Sequence, residues 1–277
     1  MSREPSITAF ARQSVAALRA IVRNAGIHPQ HLAAALRGWR QYAGDRAAYL
    51  AAAKTSGDAL PWGPELPMLL EKSEAAGSVG PYFLQDQRVA RWIFESNPAR
   101  HVDVGSRIDG FVGSVSVFRE IEVIDIRPRP REISNVQFHQ LDLMNELPAE
   151  WVACTDSLSC LHTIEHFGLG RYGDPIDPSG HMKGLSQLKR MVKPGGTLYL
   201  STPMGPERVE FNAHRVFAAD TITSWFTGAW NIERFAIIDD DGTLREPTDW
   251  LSAESKNHFG CSLGVAIVAA RRIVNVE

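Results

Sequence analysis

The sequence predicts an α/β fold that is built on a largely parallel sheet and preceded by helices. From about residue 80 onward, short apolar segments alternate with helical segments or loops, as parallel β-α-β units require. Before that point the chain is rich in Ala, Leu and Arg, and its apolar residues recur with helical spacing. We therefore expect a helical N-terminal extension at residues 1–79 and an α/β domain at residues 80–277.

The N-terminal extension is predicted to contain two helices. The first covers residues 6 to about 25, and the second runs from Gln30 to Lys54 after a break that contains Gly26 and Pro29. A linker follows, marked by Pro61, Gly63, Pro64 and Pro67. A basic amphipathic helix can lie on a membrane surface, but such a face more often packs on its own protein or on a subunit. We expect these helices to form a lid or a homodimer face.

The α/β domain is predicted to begin with a helix and to continue with seven strands. The helix covers Gln85 to Ser96, with Val89, Trp92 and Ile93 facing inward. The strand candidates are His101–Val104, Glu122–Ile126, Val136–His139, Asp156–Leu161, Thr197–Ser201, Trp230–Ile238 and Leu263–Ala270. A turn-rich stretch separates the last two, so we expect them to form an antiparallel pair at the sheet edge.

Composition excludes several classes of function. A net charge of −3 is not the electrostatic footprint of a nucleic-acid-binding protein. The apolar run Leu263–Ala270 is too short to span a bilayer, and arginines interrupt every apolar stretch near the N-terminus. The three cysteines lack the spacing of a metal site or a disulfide framework. We expect a cytoplasmic protein without stable membrane insertion.

A glycine turn between the first two strands predicts a site for a nucleoside-containing cofactor. Gly105 follows the first strand, and Asp125 ends the second strand. Glycine allows a sharp turn and a close approach to the ligand, while an acid at the end of the second strand can bind both ribose hydroxyls. Ser-Arg-Ile-Asp separates Gly105 from Gly110, so the dinucleotide pattern G-x-G-x-x-G is absent. This favours S-adenosylmethionine over NAD.

Four motifs, in order, carry a resemblance to a known class of enzymes. They are Gly80–Asp86, the glycine turn, Gly168–Asp174 and Phe211–Phe217. With them, the chain from Tyr82 onward resembles class I S-adenosylmethionine-dependent methyltransferases, and more narrowly a poorly characterised bacterial family of unknown function among them. The resemblance implies a Rossmann-like, seven-stranded methyltransferase sheet that ends in a hairpin.

The resemblance also implies which residues hold the cofactor. Its methionine side would lie against four residues of the glycine turn, Asp103, Gly105, Ser106 and Gly110. Three residues before the first strand could close over the same end, Tyr82, Gln85 and Asp86. Asp125 would hold the ribose, Asp142 would bind the adenine amino group, and Leu143 would flank the adenine ring. Asp142 could instead cap the turn that follows it.

The candidate acid–base residues follow the fourth strand, where open α/β sheets bind their ligands. A hydroxyl acceptor loses a proton on methylation, so histidine is a suitable base. We expect His166 or His181 to be this base, with Glu165 as its partner, while His214 is a further candidate. The segment His162–His166 also matches the H-x-x-E-H pattern of zinc proteases, but it follows a strand instead of lying within a helix. Magnesium is conceivable, with Asp174, Asp177 and Glu165 as oxygen ligands, although their spacing matches no recognised site.

Six further polar residues are expected to bind the acceptor: Arg171, Tyr172, Asp174, Asn212, His214 and Arg215. Arg215 could pair with a carboxylate or phosphate of the acceptor, or with Asp174 or Glu210. The resemblance and this cluster favour O-methylation of a small polar acceptor, with a sugar or glycan precursor first. Two alternatives stay open, a non-catalytic S-adenosylmethionine-binding module that regulates a partner enzyme, and an NAD-dependent oxidoreductase.

Overall fold

A computed structural model describes residues 22, 24, 26, 29–56, 65–69, 79–128 and 131–274. The chain divides into two compact units, residues 1–78 and 79–277. In the first unit, helix α1 spans Pro29–Ser56, close to the second predicted helix. The first predicted helix, over residues 6 to about 25, lies outside the described residues apart from Val22 and Asn24. Within the described residues, no helix combines the length and the apolar character needed to cross a bilayer.

The second unit alternates helices and strands. Its helices are α2 (Pro81–Ser96), a π-helical turn (Ile108–Val112) that continues into α3 (Gly113–Ser116), α4 (Gly180–Met191) and α5 (Ala219–Ser224). Its strands are β1 (His101–Val104), β2 (Ile121–Asp125), β3 (Val136–Gln140), β4 (Thr155–Leu161), β5 (Val192–Met204), β6 (Arg208–Glu210), β7 (His214–Val216), β8 (Trp230–Ile238), β9 (Leu244–Arg245) and β10 (Gly264–Arg272).

The described strands form one large sheet in the order β3-β2-β1-β4-β5-β10-β8-β9, and β6 pairs separately with β7. Strands β1 to β5 pair in parallel, whereas β10 is antiparallel to both β5 and β8. This confirms the predicted α/β, Rossmann-like fold and the antiparallel final pair. The structure adds the two-residue strand β9 at the edge, and it places β10 between β5 and β8.

The central strands are buried because both faces of the sheet are covered. All four residues of β1 are buried, as are the first seven of β10. Helix α2 packs on one face through Val89, Trp92 and Ile93, which are buried as the periodicity predicted. In a parallel sheet the carboxyl ends of successive strands meet at one edge, and the polar residues that follow β1, β2 and β4 therefore gather there.

Candidate cofactor and acceptor site

A cavity of about 540 Å³ lies at the carboxyl ends of the parallel strands. Its wall contains residues 104–109 after β1, residues 123–128 at β2, residues 141–144 after β3 and residues 161–163 at β4. Helix α2 adds Tyr82, Gln85 and Asp86 to this wall. The volume falls within the range of small-molecule sites. Nine of the predicted site residues line it: Gly105, Ser106, Asp125, Asp142, Leu143, His166, Arg171, Tyr172 and Asp174.

The turn after β1 depends on a glycine and on a buried carboxylate. Gly105 has a φ of +71°, and a Cβ there would come closer than 3.0 Å to the Thr163 side chain. Asp103 lies beneath the turn and accepts hydrogen bonds from Ser106 N at 3.0 Å and from Ser106 Oγ at 2.7 Å. Ser159 Oγ donates a third bond to the same carboxylate at 2.5 Å. Asp103 thus determines the position of Ser106 on the cavity wall.

Asp103 itself does not line the cavity, because its side chain is completely buried. Burial raises its pKa to about 6, although the hydrogen bonds from Ser159 and Ser106 oppose the shift. Gly110 also lies off the cavity wall, where a Cβ would overlap the Asp86 carboxylate. Contact between either residue and a cofactor stays a prediction.

Asp125, the predicted ribose ligand, is paired with an arginine two residues later. Arg127 Nε donates to Asp125 Oδ1 at 2.9 Å, and Arg127 Nη2 donates to Asp125 Oδ2 at 2.6 Å. The Asp125 side chain is 14% exposed, and it stands on the cavity wall. The carboxylate therefore faces the cavity with part of its acceptor capacity already used. Sequence reasoning did not assign Arg127 to the site, although its position beside the acid was a signal.

Asp142 and Leu143 lie on the wall after β3. Asp142 Oδ1 accepts a hydrogen bond from Met144 N at 2.9 Å, and Oδ2 accepts one from Asn145 Nδ2 at 3.0 Å. These are the contacts of the turn cap that was the alternative for this residue. Asp142 also lines the cavity, so the turn cap does not exclude contact with a ligand. Its binding of the adenine amino group stays a prediction.

Two histidines and a buried glutamate form a cluster at the end of β4. Glu165 is completely buried, and its Oε1 lies 2.8 Å from His162 Nδ1 and 3.8 Å from His166 Nε2. Glu165 Oε2 has no hydrogen-bond partner among the described residues. Both histidines line the cavity, whereas Glu165 lies behind them. The sequence did not predict the contact between His162 and Glu165.

His166 has a defined hydrogen-bonding pattern. Its Nδ1 lies 2.7 Å from the carbonyl oxygen of Ala213, so Nδ1 carries the proton and Nε2 keeps a lone pair. Burial lowers the pKa of His166, and the positive charge of Arg171 lowers it further. A histidine in this environment is uncharged near neutral pH, as a general base requires.

The segment Gly168–Asp174 places three predicted acceptor-binding residues at the cavity, Arg171, Tyr172 and Asp174. Asp174 accepts hydrogen bonds from the backbone N–H groups of Gly168, Gly170 and Tyr172, at 2.8, 3.2 and 3.1 Å. The carboxylate of Asp174 therefore organises this loop. Arg171 and Tyr172 at its tip line the cavity, and Tyr172 is 38% exposed.

Three further predicted residues, His181, Asn212 and His214, lie away from the cavity. His181 lies at the start of α4, and its ring packs against Phe217 with the ring centroids 5.5 Å apart. His214 belongs to the β6–β7 hairpin, where its Nε2 lies 3.2 Å from Glu210 Oε2, and Asn212 lies in the turn of that hairpin. The structure therefore does not bring His181 or His214 to the cavity as a base. Of the predicted bases, His166 alone lies on the cavity wall.

Arg215 is buried and holds the loop after β4 instead of facing the cavity. Its Nη1 donates to the carbonyls of Glu165 and Phe167 at 3.2 and 2.6 Å, and its Nη2 donates to those of Asp177 and Pro178 at 3.4 and 3.3 Å. Within the described residues, its side chain forms neither of the ion pairs that we considered, and both Nη atoms donate to backbone carbonyls. Direct contact with an acceptor is therefore not available to Arg215 in this structure.

In the described part of the chain, acidic and metal-ligating side chains are not assembled into a metal site. Among the described residues, no group of three or more His, Cys, Asp or Glu side chains could hold a metal ion. Of the acids considered for magnesium, Asp177 pairs with Lys183 at 2.6 Å, Asp174 binds backbone N–H groups, and Glu165 is enclosed behind the histidines. Neither the magnesium nor the zinc alternative gains support.

Comparison with known proteins identifies the family. The model of the family described as "Caenorhabditis protein of unknown function, DUF268" matches residues 117–256, just over half of the chain. The chain belongs to the DUF268 family. The DUF268 match agrees with the expectation of a family of unknown function, but it does not confirm a bacterial one. The DUF268 segment contains the predicted acid–base cluster and Arg127, whereas the glycine turn precedes it. No protein of curated function matches the chain.

Several solved structures are similar to this DUF268 chain. The N-methyltransferase NodS from Bradyrhizobium japonicum WM9, in complex with S-adenosylhomocysteine, is 14% identical, with 74% of this chain and 91% of NodS covered at a TM-score of 0.47. The [4+2]-cyclase SpnF is 14% identical, with 68% and 82% covered at 0.46. The YcgJ protein from Bacillus subtilis is 16% identical, with 68% and 100% covered at 0.44. At these identities and scores, none assigns a reaction to this chain.

Proposed function

We propose that this protein is an S-adenosylmethionine-dependent methyltransferase that methylates oxygen on a small polar acceptor, with a sugar or glycan precursor as the first candidate. One observation carries the proposal. Gly105, Asp125 and Asp142 lie at or just after the ends of three different strands, and all three stand on the wall of one cavity. A glycine turn, an acid after the second strand and an acid after the third are the parts that an adenosyl group would need.

The residues at the cavity fit this cofactor. Asp125 would accept hydrogen bonds from the ribose hydroxyls, and Leu143 would give the adenine an apolar surface. Gln85 and Asp86 would face the methionine end, where burial raises the pKa of Asp86. When bound, the cofactor supplies a methyl group on a sulfonium. The segment between Gly105 and Gly110 lacks the glycine spacing of a pyrophosphate-binding loop, which disfavours NAD.

The protein's own contribution to the reaction would be alignment and proton transfer. Holding the acceptor in line with the methyl group is the main source of acceleration in such a displacement. His166 would take the acceptor's proton on Nε2, since its Nδ1 proton is held by the Ala213 carbonyl. Glu165 is close enough to stabilise the charged imidazole that results, at 3.8 Å from Nε2.

The first test of this function is calorimetric titration with S-adenosylhomocysteine, with NAD in a parallel cell. We expect micromolar binding of S-adenosylhomocysteine alone, and loss of that binding in Asp125→Ala. Asp109→Ala is the matched control, because Asp109 also lines the cavity and also pairs with an arginine two residues away. NAD binding, or unchanged binding of S-adenosylhomocysteine in Asp125→Ala, would contradict the cofactor assignment.

The acceptor class needs a separate test. Purified protein would be incubated with S-adenosylmethionine that carries a labelled methyl group and with a panel of hydroxylated and aminated sugars. We expect transfer to a hydroxyl group. Transfer to amines alone would refute the proposed oxygen specificity and leave the cofactor assignment intact.

A further inference from the structure

Arg127 links two parts of the cavity wall that are distant in sequence. Its guanidinium forms the bidentate pair with Asp125 after β2, and its carbon lies 4.6 Å from the ring centroid of Tyr172 in the loop after β4. The Arg127 side chain is 51% exposed. In the described part of the chain, the only acidic partner of Arg127 is Asp125, the carboxylate that the proposed function assigns to ribose.

A second guanidinium lies over the same ring. The carbon of the Arg171 guanidinium is 5.2 Å from the Tyr172 centroid, and Arg171 Nη1 donates to the Ala213 carbonyl at 2.8 Å. Within the described residues, no carboxylate forms an ion pair with Arg171. An aromatic face holds planar guanidinium groups favourably while leaving their N–H edges available to a ligand.

We propose that Arg127, Arg171 and Tyr172 form a binding site for an anionic group of the acceptor, a carboxylate or a phosphate, and that this site opens when ribose hydroxyls replace Arg127 on Asp125. The inference rests on the proposed function, since it takes Asp125 as the ribose ligand. Guanidinium groups bind carboxylate and phosphate in a bidentate manner, and two of them beside one ring suit a single anion.

The charges on the cavity wall support an anionic ligand over a neutral one. Once ribose occupies Asp125, Arg127 loses its carboxylate. The other acids of the wall are already engaged. Asp109 pairs with Arg107 at 2.7 Å, Asp174 accepts three backbone N–H groups, and Asp142 accepts from Met144 N and Asn145 Nδ2. Asp86 accepts from Gln85 Nε2 at 3.1 Å, and burial raises its pKa. The two guanidinium groups at Tyr172 are then left without a neutralising acid, and an anion on the acceptor supplies one.

The test measures anion binding with and without the cofactor product. Inorganic phosphate and acetate, as probes of the two anion types, would be titrated into the full-length protein at constant ionic strength, with and without saturating S-adenosylhomocysteine. We expect S-adenosylhomocysteine to tighten binding of one probe about 1.5- to 5-fold, the factor that release of a half-exposed ion pair gives, and that probe to tighten S-adenosylhomocysteine by the same factor. The probe that responds identifies the anion.

Three arginine variants distinguish this site from general positive charge. Arg127→Ala should bind S-adenosylhomocysteine about 1.5- to 5-fold more tightly, because a half-exposed ion pair no longer competes with ribose, and it should lose the coupling to the anion. Arg171→Ala should weaken the anion without changing S-adenosylhomocysteine affinity. Arg107→Ala is the matched control, since Arg107 lines the same cavity but pairs with Asp109, and its anion binding should stay unchanged.

The outcomes separate this inference from the function on which it rests. If S-adenosylhomocysteine binds but neither probe is coupled to it, the anion site is wrong and the cofactor assignment stands. Weaker S-adenosylhomocysteine binding in Arg127→Ala, or equal loss of anion binding in Arg107→Ala, would also overturn the anion site. If S-adenosylhomocysteine does not bind at all, the proposed function and the anion site fail together.

Discussion

Replacing Gly105 with alanine tests the glycine turn on which the candidate site is built. At a φ of +71° an alanine adopts the left-handed region, which costs roughly 1–2 kcal/mol. Its Cβ would also come closer than 3.0 Å to the Thr163 side chain, and relieving such an overlap in a packed site costs typically about 1–3 kcal/mol. We therefore expect Gly105→Ala to lower the free energy of unfolding by roughly 2–5 kcal/mol.

A second glycine separates the two costs. Gly228 has a φ of +70°, but nothing lies within 4 Å of the Cβ that a substitution would add. Gly228→Ala should therefore show the backbone cost alone. The gain from a stiffer unfolded chain is common to both variants, so it cancels in the comparison. The difference between the two variants, about 1–3 kcal/mol, measures the overlap with Thr163.

Equilibrium unfolding in urea, followed by circular dichroism and by tryptophan fluorescence, gives these free energies if the two transitions coincide. Thr163→Ala combined with Gly105→Ala should remove most of the overlap, so the double variant should be more stable than the sum of the single effects predicts. Equal losses in Gly105→Ala and Gly228→Ala would refute the close approach of the turn to Thr163. Simple additivity in the double variant would refute it independently.

Three further predictions concern buried groups. In the folded protein the pKa of Asp103 is about 6, against an ordinary value of 3.8, so the wild type loses stability as the pH rises from about 4 to 6. Over that interval Asp103→Asn should gain about 3 kcal/mol of unfolding free energy relative to wild type. Parallel pH profiles of the two proteins would contradict this prediction. Arg215→Lys should cost roughly 2–4 kcal/mol of unfolding free energy, because one ammonium cannot serve four carbonyls, whereas Arg171→Lys should cost less than about 0.5 kcal/mol. His166→Ala should slow turnover about 10²–10⁴-fold with unchanged S-adenosylhomocysteine affinity, and wild-type turnover would exclude His166 as the base.

Local patterns were sufficient to predict most strands of this fold. Strands β1 and β8 have the bounds that the sequence predicted, His101–Val104 and Trp230–Ile238. Strand β5 begins at Val192, earlier than predicted, because Val192 pairs with Thr155 before the register shifts. That pairing depends on the neighbouring strand, so no local pattern in the chain indicates it.

For the candidate site, the chain predicted which segments meet but not which way their side chains point. His166 and His181 both follow β4. His166 lines the cavity, whereas His181, at the start of α4, packs on Phe217. The sequence predicted that Arg215 binds the acceptor. The packing of the β6–β7 hairpin instead directs its guanidinium toward backbone carbonyls, to which it donates hydrogen bonds. The sequence did not assign Arg127 to the site, because its second partner, Tyr172, becomes a neighbour only in the folded chain.

The sequence alone therefore determined the fold class, the glycine turn and the positions of Asp125 and Asp142 at strand ends, because each follows from backbone conformation and short-range periodicity. Only the tertiary structure decided that Ser159 donates to Asp103 beneath the turn, that the Ala213 carbonyl holds His166 and that Arg127 lies over the ring of Tyr172. These are contacts of side chains whose directions depend on how separate elements pack, and packing is a property of the whole fold.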